Sequence, residues 1–366
     1  MRYYLIAGEA SGDLHATRLI RQLRIQDTQA QIKYHYHPEL AYMGYIAVAT
    51  HICKILRGLD SCKQEILSWK PDCVILIDYP GFNLKIAGFV HRNTDIPVIY
   101  YISPKIWAWK ERRLAEIRRN ITAILSILPF EVEWYAQRSD CTVHYVGNPS
   151  AEEIRNYLAG NPADHEAFRR RHELDRRPVI AILPGSREQE IRQNLEYMIQ
   201  AAMQYSTQYQ IVLAAAPTAD TAQIRRIAGQ RPVHIVQGDT YRILQHSAAA
   251  LVTSGTATLE TALLGVPQVV CYRTGHPHIS SMLRPLVLKI PYVSLVNLIA
   301  GRELVTELIA TDTTTHNIAR ELGRLLPGGD KLAEIQAGYL EIKEKLGRHD
   351  TAANAARHII SMVQMA

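Results

Sequence analysis

Asp78 is the first residue of this 366-residue chain that could do chemistry. It ends the apolar run 73–77 (CVILI) and opens the turn Asp78-Tyr79-Pro80-Gly81-Phe82-Asn83. A carboxylate at the end of a strand, held by a Pro-Gly turn, suits a general base. The same residue would also cap a helix starting near Asn83. Two further loops look built for phosphate. Leu183-Pro184-Gly185-Ser186-Arg187 sets a glycine, a hydroxyl and a guanidinium at a strand-to-helix junction, where free backbone N–H groups face an anion. Thr253-Ser254-Gly255-Thr256 repeats the design with hydroxyls, and Glu260, about one turn into the next helix, can accept both hydrogen bonds of a ribose diol. Two phosphate-type turns and a ribose-type acid together indicate a nucleotide without a Walker lysine.

Two loops nearer the start carry subtler signals. In Gly8-Glu9-Ala10-Ser11-Gly12-Asp13 the glycines let a ligand approach the backbone, although an ordinary capped turn would look similar. The segment Ser103-Pro104-Lys105-Ile106-Trp107-Ala108-Trp109-Lys110 runs on to Arg112 and Arg113 and interleaves aromatic with basic side chains. That pattern suits anionic lipid, or a phosphate beside an acyl chain; core tryptophans beside a solvated helix face would give it too. There is no GxGxxG fingerprint, which argues against a nicotinamide dehydrogenase, and no Asp-x-Asp pair to hold a divalent metal. His35 and His37 lie two apart with no third ligand nearby, so a loop or edge strand is the better reading.

These loops need strands to hold them. Short runs rich in Val, Ile and Tyr recur at 3–7, 73–77, 98–102, 122–127 and 143–146, then at 178–183, 210–215, 233–236, 249–253 and 268–272. Helical windows fall between them at 12–25, 83–93, 188–206 and 255–265, and two more, 329–348 and 350–364, finish the chain. Strand–helix alternation argues a parallel sheet covered on both faces. Occurring twice, it predicts an α/β chain of two doubly wound, Rossmann-like domains with C-terminal helices. The seam is expected near the basic stretch 159–177, giving domains of 1–165 and 166–345, with 346–366 a helix that packs on the first domain or on a partner subunit. Apolar residues are 47% and charged residues 21% of the chain, which excludes disorder, and the net charge of +6 is too diffuse for a nucleic-acid binder. The five cysteines have no CxxC spacing, so buried reduced thiols are expected. With neither a signal peptide nor an apolar run of ~18 residues, the chain is expected to be cytoplasmic and to touch membrane only peripherally.

GEASGD at 8–13, ELAYMG at 39–44, IDYPGFN at 77–83, YISPKIWAWKERR at 101–113 and ILPFE at 127–131 resemble the lipid-A-disaccharide synthase family. So do LPGSREQEI at 183–191, TSGTATLETALLGVP at 253–267 and YVSLVNLIAGRELVTEL at 292–308, in the same order through most of the chain. The resemblance implies a GT-B fold and an inverting glycosyltransferase. Its donor would be UDP-2,3-diacylglucosamine and its acceptor 2,3-diacylglucosamine 1-phosphate; the products would be β-1,6 lipid A disaccharide 1-phosphate and UDP. On that reading the first domain faces acceptor and membrane and the second binds the UDP-sugar. Asp78 would be the base, while Gly185, Ser186, Arg187, Ser254, Gly255, Thr256, Glu260 and Asn297 would hold the donor. Gly8, Glu9, Ser11, Trp107 and Trp109 would line the acceptor side. No cofactor and no metal are implied, the enzyme would sit on the cytoplasmic face of the inner membrane of a Gram-negative cell, and a homodimer is compatible.

Three positions depart from the family pattern: KYHYH alone spans the gap between Ile32 and Pro38, Asn148 stands where histidine is common, and Val296 replaces a usual proline. The alternatives are a UDP-sugar 2-epimerase of the same architecture and a catalytically impaired lipid-binding protein.

Overall fold

The computed structural model describes residues 1–8, 10–36, 52–109, 111–273 and 290–365. Glu9, His37, the ELAYMG segment and the side chain of Trp109 lie outside what is described. The chain forms two compact units, Met1–Glu152 together with Arg348–Ala366, and Glu153–Gly347. The division falls inside the helix Pro149–Gly160, ahead of the basic stretch expected to mark it. That stretch belongs to the second unit because Phe168 and Leu174 are buried in its core beside Val179 and Ala181.

The first unit is built on six parallel strands: β1 (Arg2–Ala7), β2 (Gln31–Tyr36), β3 (Cys73–Ile77), β4 (Val98–Tyr101), β5 (Ala123–Ser126) and β6 (Val143–Tyr145). Their order is β2-β1-β3-β4-β5-β6. All five residues of β3 are buried, as a central parallel strand covered on both faces requires. Alternate side chains serve opposite cores. Tyr4, Ile6, Val74 and Leu76 pack on one face; Tyr3, Leu5, Cys73 and Ile75 pack on the other, where Ala355, Ala356 and Ile359 of the helix Thr351–Met365 join them. The final helix is therefore part of this unit. At the edge, β2 has no fully buried residue, which explains why its apolar signal is weak. His35 on β2 stacks on Tyr4 and makes a hydrogen bond of 2.9 Å with Glu65.

Register decides what stands at the carboxyl end of this sheet. Ala7 pairs with Ile77, Ile77 with Tyr101, and Tyr101 with Leu125. The next residues along each strand, Gly8, Asp78, Ile102 and Ser126, therefore form one row. The chain leaves β1 toward β2 on one side and later returns to β3 on the other, so the gap between β1 and β3 is the sheet's switch point.

The second unit repeats the plan with β7 (Val179–Leu183), β8 (Gln210–Ala215), β9 (Val233–Gln237), β10 (Ser247–Thr253), β11 (Gln268–Tyr272) and β12 (Glu307–Ile309). The order is β12-β11-β10-β7-β8-β9, again parallel, with its switch point between β7 and β10. Leu183 pairs close to Val252 there, so the Pro184-Gly185-Ser186 and Ser254-Gly255 turns emerge side by side. Cys62, Cys73 and Cys271 are buried free thiols, and burial pushes Cys62 up to about 11, so they are inert filling.

Candidate active site

Asp78 takes a backbone conformation that L-residues avoid: its φ is 49°, and Tyr79 follows at φ 46°, ψ 62°. Two consecutive left-handed non-glycine residues carry strain that the surroundings must hold in place. They do so through the Asp78 carbonyl, which accepts from Asn83 Nδ2 at 2.7 Å and from the Tyr100 hydroxyl at 2.5 Å. Asn83 also donates to the Ile77 carbonyl at 3.2 Å, and the Asp78 N–H donates to Tyr101 at 3.2 Å. Asn83 is thus the buried clamp of the turn, and Pro80 supplies the fixed first residue of the helix Pro80–Asn93. Burial raises the Asp78 carboxyl above the ordinary carboxylate range; the Tyr79 N–H and the Lys105 ammonium pull it partly back. A carboxylate poised this way is a better proton acceptor than a solvated one.

Gly8 is required by the same turn. A Cβ there would run into the Tyr79 ring, so only glycine lets β1 end against it. Ser11 is exposed on the first turn of the helix Ala10–Gln26. Trp107 stands differently from expectation. It is 5% exposed, its Nε1 donates to Glu131 at 2.8 Å and its ring meets Phe130 edge-on at 5.0 Å. The ring therefore supports its loop from beneath and does not present a face to an acyl chain. Arg112 and Arg119 remain exposed on the following segment, while Arg118 is engaged with Asp140 at 2.6 Å.

The second unit encloses a cavity of about 690 Å³ at its switch point, lined by Gly185, Ser186, Arg187, Ser254, Gly255, Thr256 and Glu260. Gly185 has φ 98°, and a Cβ there would lie 2.5 Å from a Glu190 carboxylate oxygen. Glu190 reaches back to the Arg187 N–H at 3.4 Å and to its guanidinium at 3.2 Å, which orients Arg187 at the start of the helix Glu188–Met203. Gly255 has φ 145° with open space where its Cβ would be, and it precedes the helix Thr256–Leu263. The first turns of both helices stand at this cavity, where backbone N–H groups at a helix start can face an anion. Thr253 Oγ1, also on the wall, is buried without a hydrogen-bond partner among the described residues.

Glu260 does not stand alone. The Tyr241 hydroxyl donates to it at 3.1 Å and lies 3.4 Å from Glu153, and Tyr157 meets the Tyr241 ring edge-on at 5.4 Å. One phenolic hydrogen cannot serve two carboxylates, and burial with the nearby Glu153 raises the Glu260 carboxyl. Glu153, Tyr157 and Tyr241 escaped sequence reasoning, as did the Gly238-Asp239-Thr240 turn on the same wall. The signal for the turn was present: β9 followed by Gly-Asp and a helix has the same form as the loops that were recognised.

Asn297 also stands differently. It is fully buried in the helix Leu295–Ala300, and both ends of its amide are spent. Nδ2 donates to Val305 and Glu307, and Oδ1 accepts from Leu304 and Val305, all at 2.8–2.9 Å. With no site left for a ligand, it reaches the cavity only through its neighbours. Glu307 takes the Val293 and Ser294 N–H groups, and Ser254 donates to the Val293 carbonyl at 3.4 Å. Asn148, where histidine was common, caps the helix Pro149–Gly160 by accepting from Ala151 and donating to Ile127. Among the described residues no three His, Cys, Asp or Glu side chains gather as a metal site would need.

A family profile described as "Lipid-A-disaccharide synthetase" matches residues 3–361. The chain belongs to that family. Lipid-A-disaccharide synthases of Solibacter usitatus and Myxococcus xanthus are each 35% identical to it; the alignments cover 98% and 99% of this chain and 96% and 97% of those proteins. Family membership makes the chain a glycosyltransferase of lipid A disaccharide synthesis. Among solved structures it is similar to the UDP-GlcNAc 2-epimerase of Neisseria meningitidis (TM-score 0.60, 14% identity, all of both chains). A glycosyltransferase of Rickettsia africae is similar as well (TM-score 0.56, 9% identity, 100% of this chain and 98% of that one). At those identities the likeness shows the GT-B-like fold alone, so the epimerase reading gains no support beyond architecture.

Proposed function

We propose that this synthase joins UDP-2,3-diacylglucosamine to 2,3-diacylglucosamine 1-phosphate by a single inverting displacement. Asp78 removes the proton of the acceptor 6-hydroxyl as its oxygen attacks the anomeric carbon, and UDP departs from the opposite face. The observation that carries this reading is the clamped Asp78 turn, which spends four hydrogen bonds on a strained conformation that puts a desolvated carboxylate at a switch point. On the donor side, Arg187 and the backbone of the two glycine turns at the helix starts neutralise charge building on the leaving diphosphate. Glu260 accepts from the ribose diol, with Tyr241 holding its carboxylate in place. Nothing in this scheme calls on a metal or cofactor, and the exposed Arg112 and Arg119 offer attraction to an anionic membrane surface. The chain has no described helix long and apolar enough to cross a bilayer, in keeping with peripheral attachment.

The test is Asp78→Asn. Turnover should fall by about 10²–10⁴-fold while UDP affinity, measured by calorimetry, stays at the wild-type value. A variant that turns over near the wild-type rate would remove Asp78 from the chemistry.

A further inference from the structure

Glu131 is a buried carboxylate that the scheme above does not use. It is 2% exposed, in the helix Pro129–Ala136 that follows β5. Three side chains donate to it: Trp107 Nε1 at 2.8 Å, Ser103 Oγ at 3.2 Å, and Ser126 Oγ in a short bond. A buried carboxylate satisfied from three sides is expensive to assemble and strongly orienting once assembled. What it orients is specific. Ser103 and Trp107 flank Lys105 by two residues on either side, so one carboxylate ties both ends of the loop that carries this lysine. That loop leaves β4 through Ile102, and Ile102 stands in the same sheet-end row as Asp78. Tyr101 ties the two strand ends directly by accepting the Asp78 N–H.

We propose that Glu131 is a positioning residue for the transfer reaction: by gripping Ser103 and Trp107 it sets the loop between them so that the Lys105 ammonium stands beside the Asp78 carboxylate. The cation favours the ionised base and holds a positive charge where an anionic acceptor would arrive. Lys105 itself is exposed on this loop. The groups facing Asp78 are Lys105 and the Tyr100 phenol, with Arg113 acting on that phenol; those facing Glu131 are Lys105 and Tyr135. The inference rests on Asp78 being the base.

The experiment measures kcat and kcat/KM for the acceptor against pH in the full-length protein, reading UDP release in detergent, for Glu131→Gln, Lys105→Gln, Lys105→Arg and Asp78→Asn. Glutamine keeps the volume of Glu131 but offers one acceptor oxygen to three donors. Glu131→Gln should lower kcat by about tenfold or more, as a loop misplaced by an ångström can. It should keep the wild-type affinity for UDP, and its acid limb should move to higher pH. The direction is diagnostic. Losing the Lys105 ammonium raises the pKa of Asp78, whereas merely losing the negative charge of Glu131 would lower it. Lys105→Gln should move the limb the same way, and Lys105→Arg should restore it. Wild-type kcat and limb in Glu131→Gln, or a limb displaced to lower pH, overturns the proposal. Should Glu131→Gln fail to fold, an unmoved limb in the surface variant Lys105→Gln overturns it equally. An active Asp78→Asn would instead overturn the reading of the base, so the two failures are told apart.

Discussion

Asp78 and Tyr79 trade stability for function. A carboxyl whose folded pKa lies above its unfolded value binds protons more tightly when folded. It therefore costs stability as pH rises from the unfolded value through the folded one, and that cost is fully present above both. Burial raises Asp78 in this way. Asparagine carries no charge to desolvate and tolerates the left-handed region better. Asp78→Asn should accordingly melt higher than the wild type at pH 8, with the gap closing as pH is lowered through the acidic range. A scan of Tm against pH for the two proteins checks this, and a variant that melts lower at pH 8 contradicts it. Catalytically the same sign applies: wild-type kcat/KM should be lost on acidification at a pH above the ordinary Asp range. On the donor side, Tyr241→Phe would remove the hydroxyl that fixes the Glu260 carboxylate, and about tenfold weaker UDP binding by calorimetry is the expected outcome.

At the scale of elements, the proposed site residues sit in turns between a buried strand and a helix, where an interrupted apolar run is easy to see in a sequence. Asp78, Gly185, Arg187 and Gly255 announce themselves because glycine, proline and charge interrupt apolar runs at a strand end. Most strands were legible for the same reason, since β3, β7 and β8 are buried along their whole length and, apart from Cys73 and Gln210 at their starts, read as Val, Ile, Leu and Ala. Two of the edge strands, β2 and β12, were not: β2 interleaves Gln31, Lys33 and His35 with its apolar residues, and β12 is three residues long and begins with Glu307. Trp107 and Asn297 mislead for a related reason. A sequence shows that a tryptophan or an amide sits in a chemically rich segment, but not whether its polar atoms are already taken by Glu131 or by Glu307 and Val305. For Asn297, replacement by alanine strands three or more buried backbone and carboxylate partners and should cost roughly 3 kcal/mol, read by urea unfolding. A loss below about 0.5 kcal/mol would show that this knot does not hold the 293–307 segment.

At the scale of the whole molecule there are two units, each with its own sheet and core. Sequence alone placed the boundary among the arginines of 159–177, where the composition changes. The structural boundary lies earlier because packing decides it: Phe168 and Leu174 fill the second core, and the final helix returns to the first. Ligand binding to one unit stabilises that unit by mass action, about 2.7 kcal/mol at a hundred times the dissociation constant. Calorimetric scans with saturating UDP should therefore raise the unfolding of Glu153–Gly347, monitored by hydrogen exchange along β7, β8 and β10, more than that of β1 and β3. Equal protection of both units, or protection of the first alone, would put the nucleotide elsewhere.

In the proposed transfer reaction the acceptor triggers departure of UDP without help from a metal. The most direct measurement is UDP release from UDP-2,3-diacylglucosamine by the purified protein in detergent and EDTA, with and without 2,3-diacylglucosamine 1-phosphate. Release should need the acceptor, give one disaccharide per UDP and be indifferent to EDTA. Release at the same rate without acceptor, or no release from a folded protein that binds UDP, would contradict it.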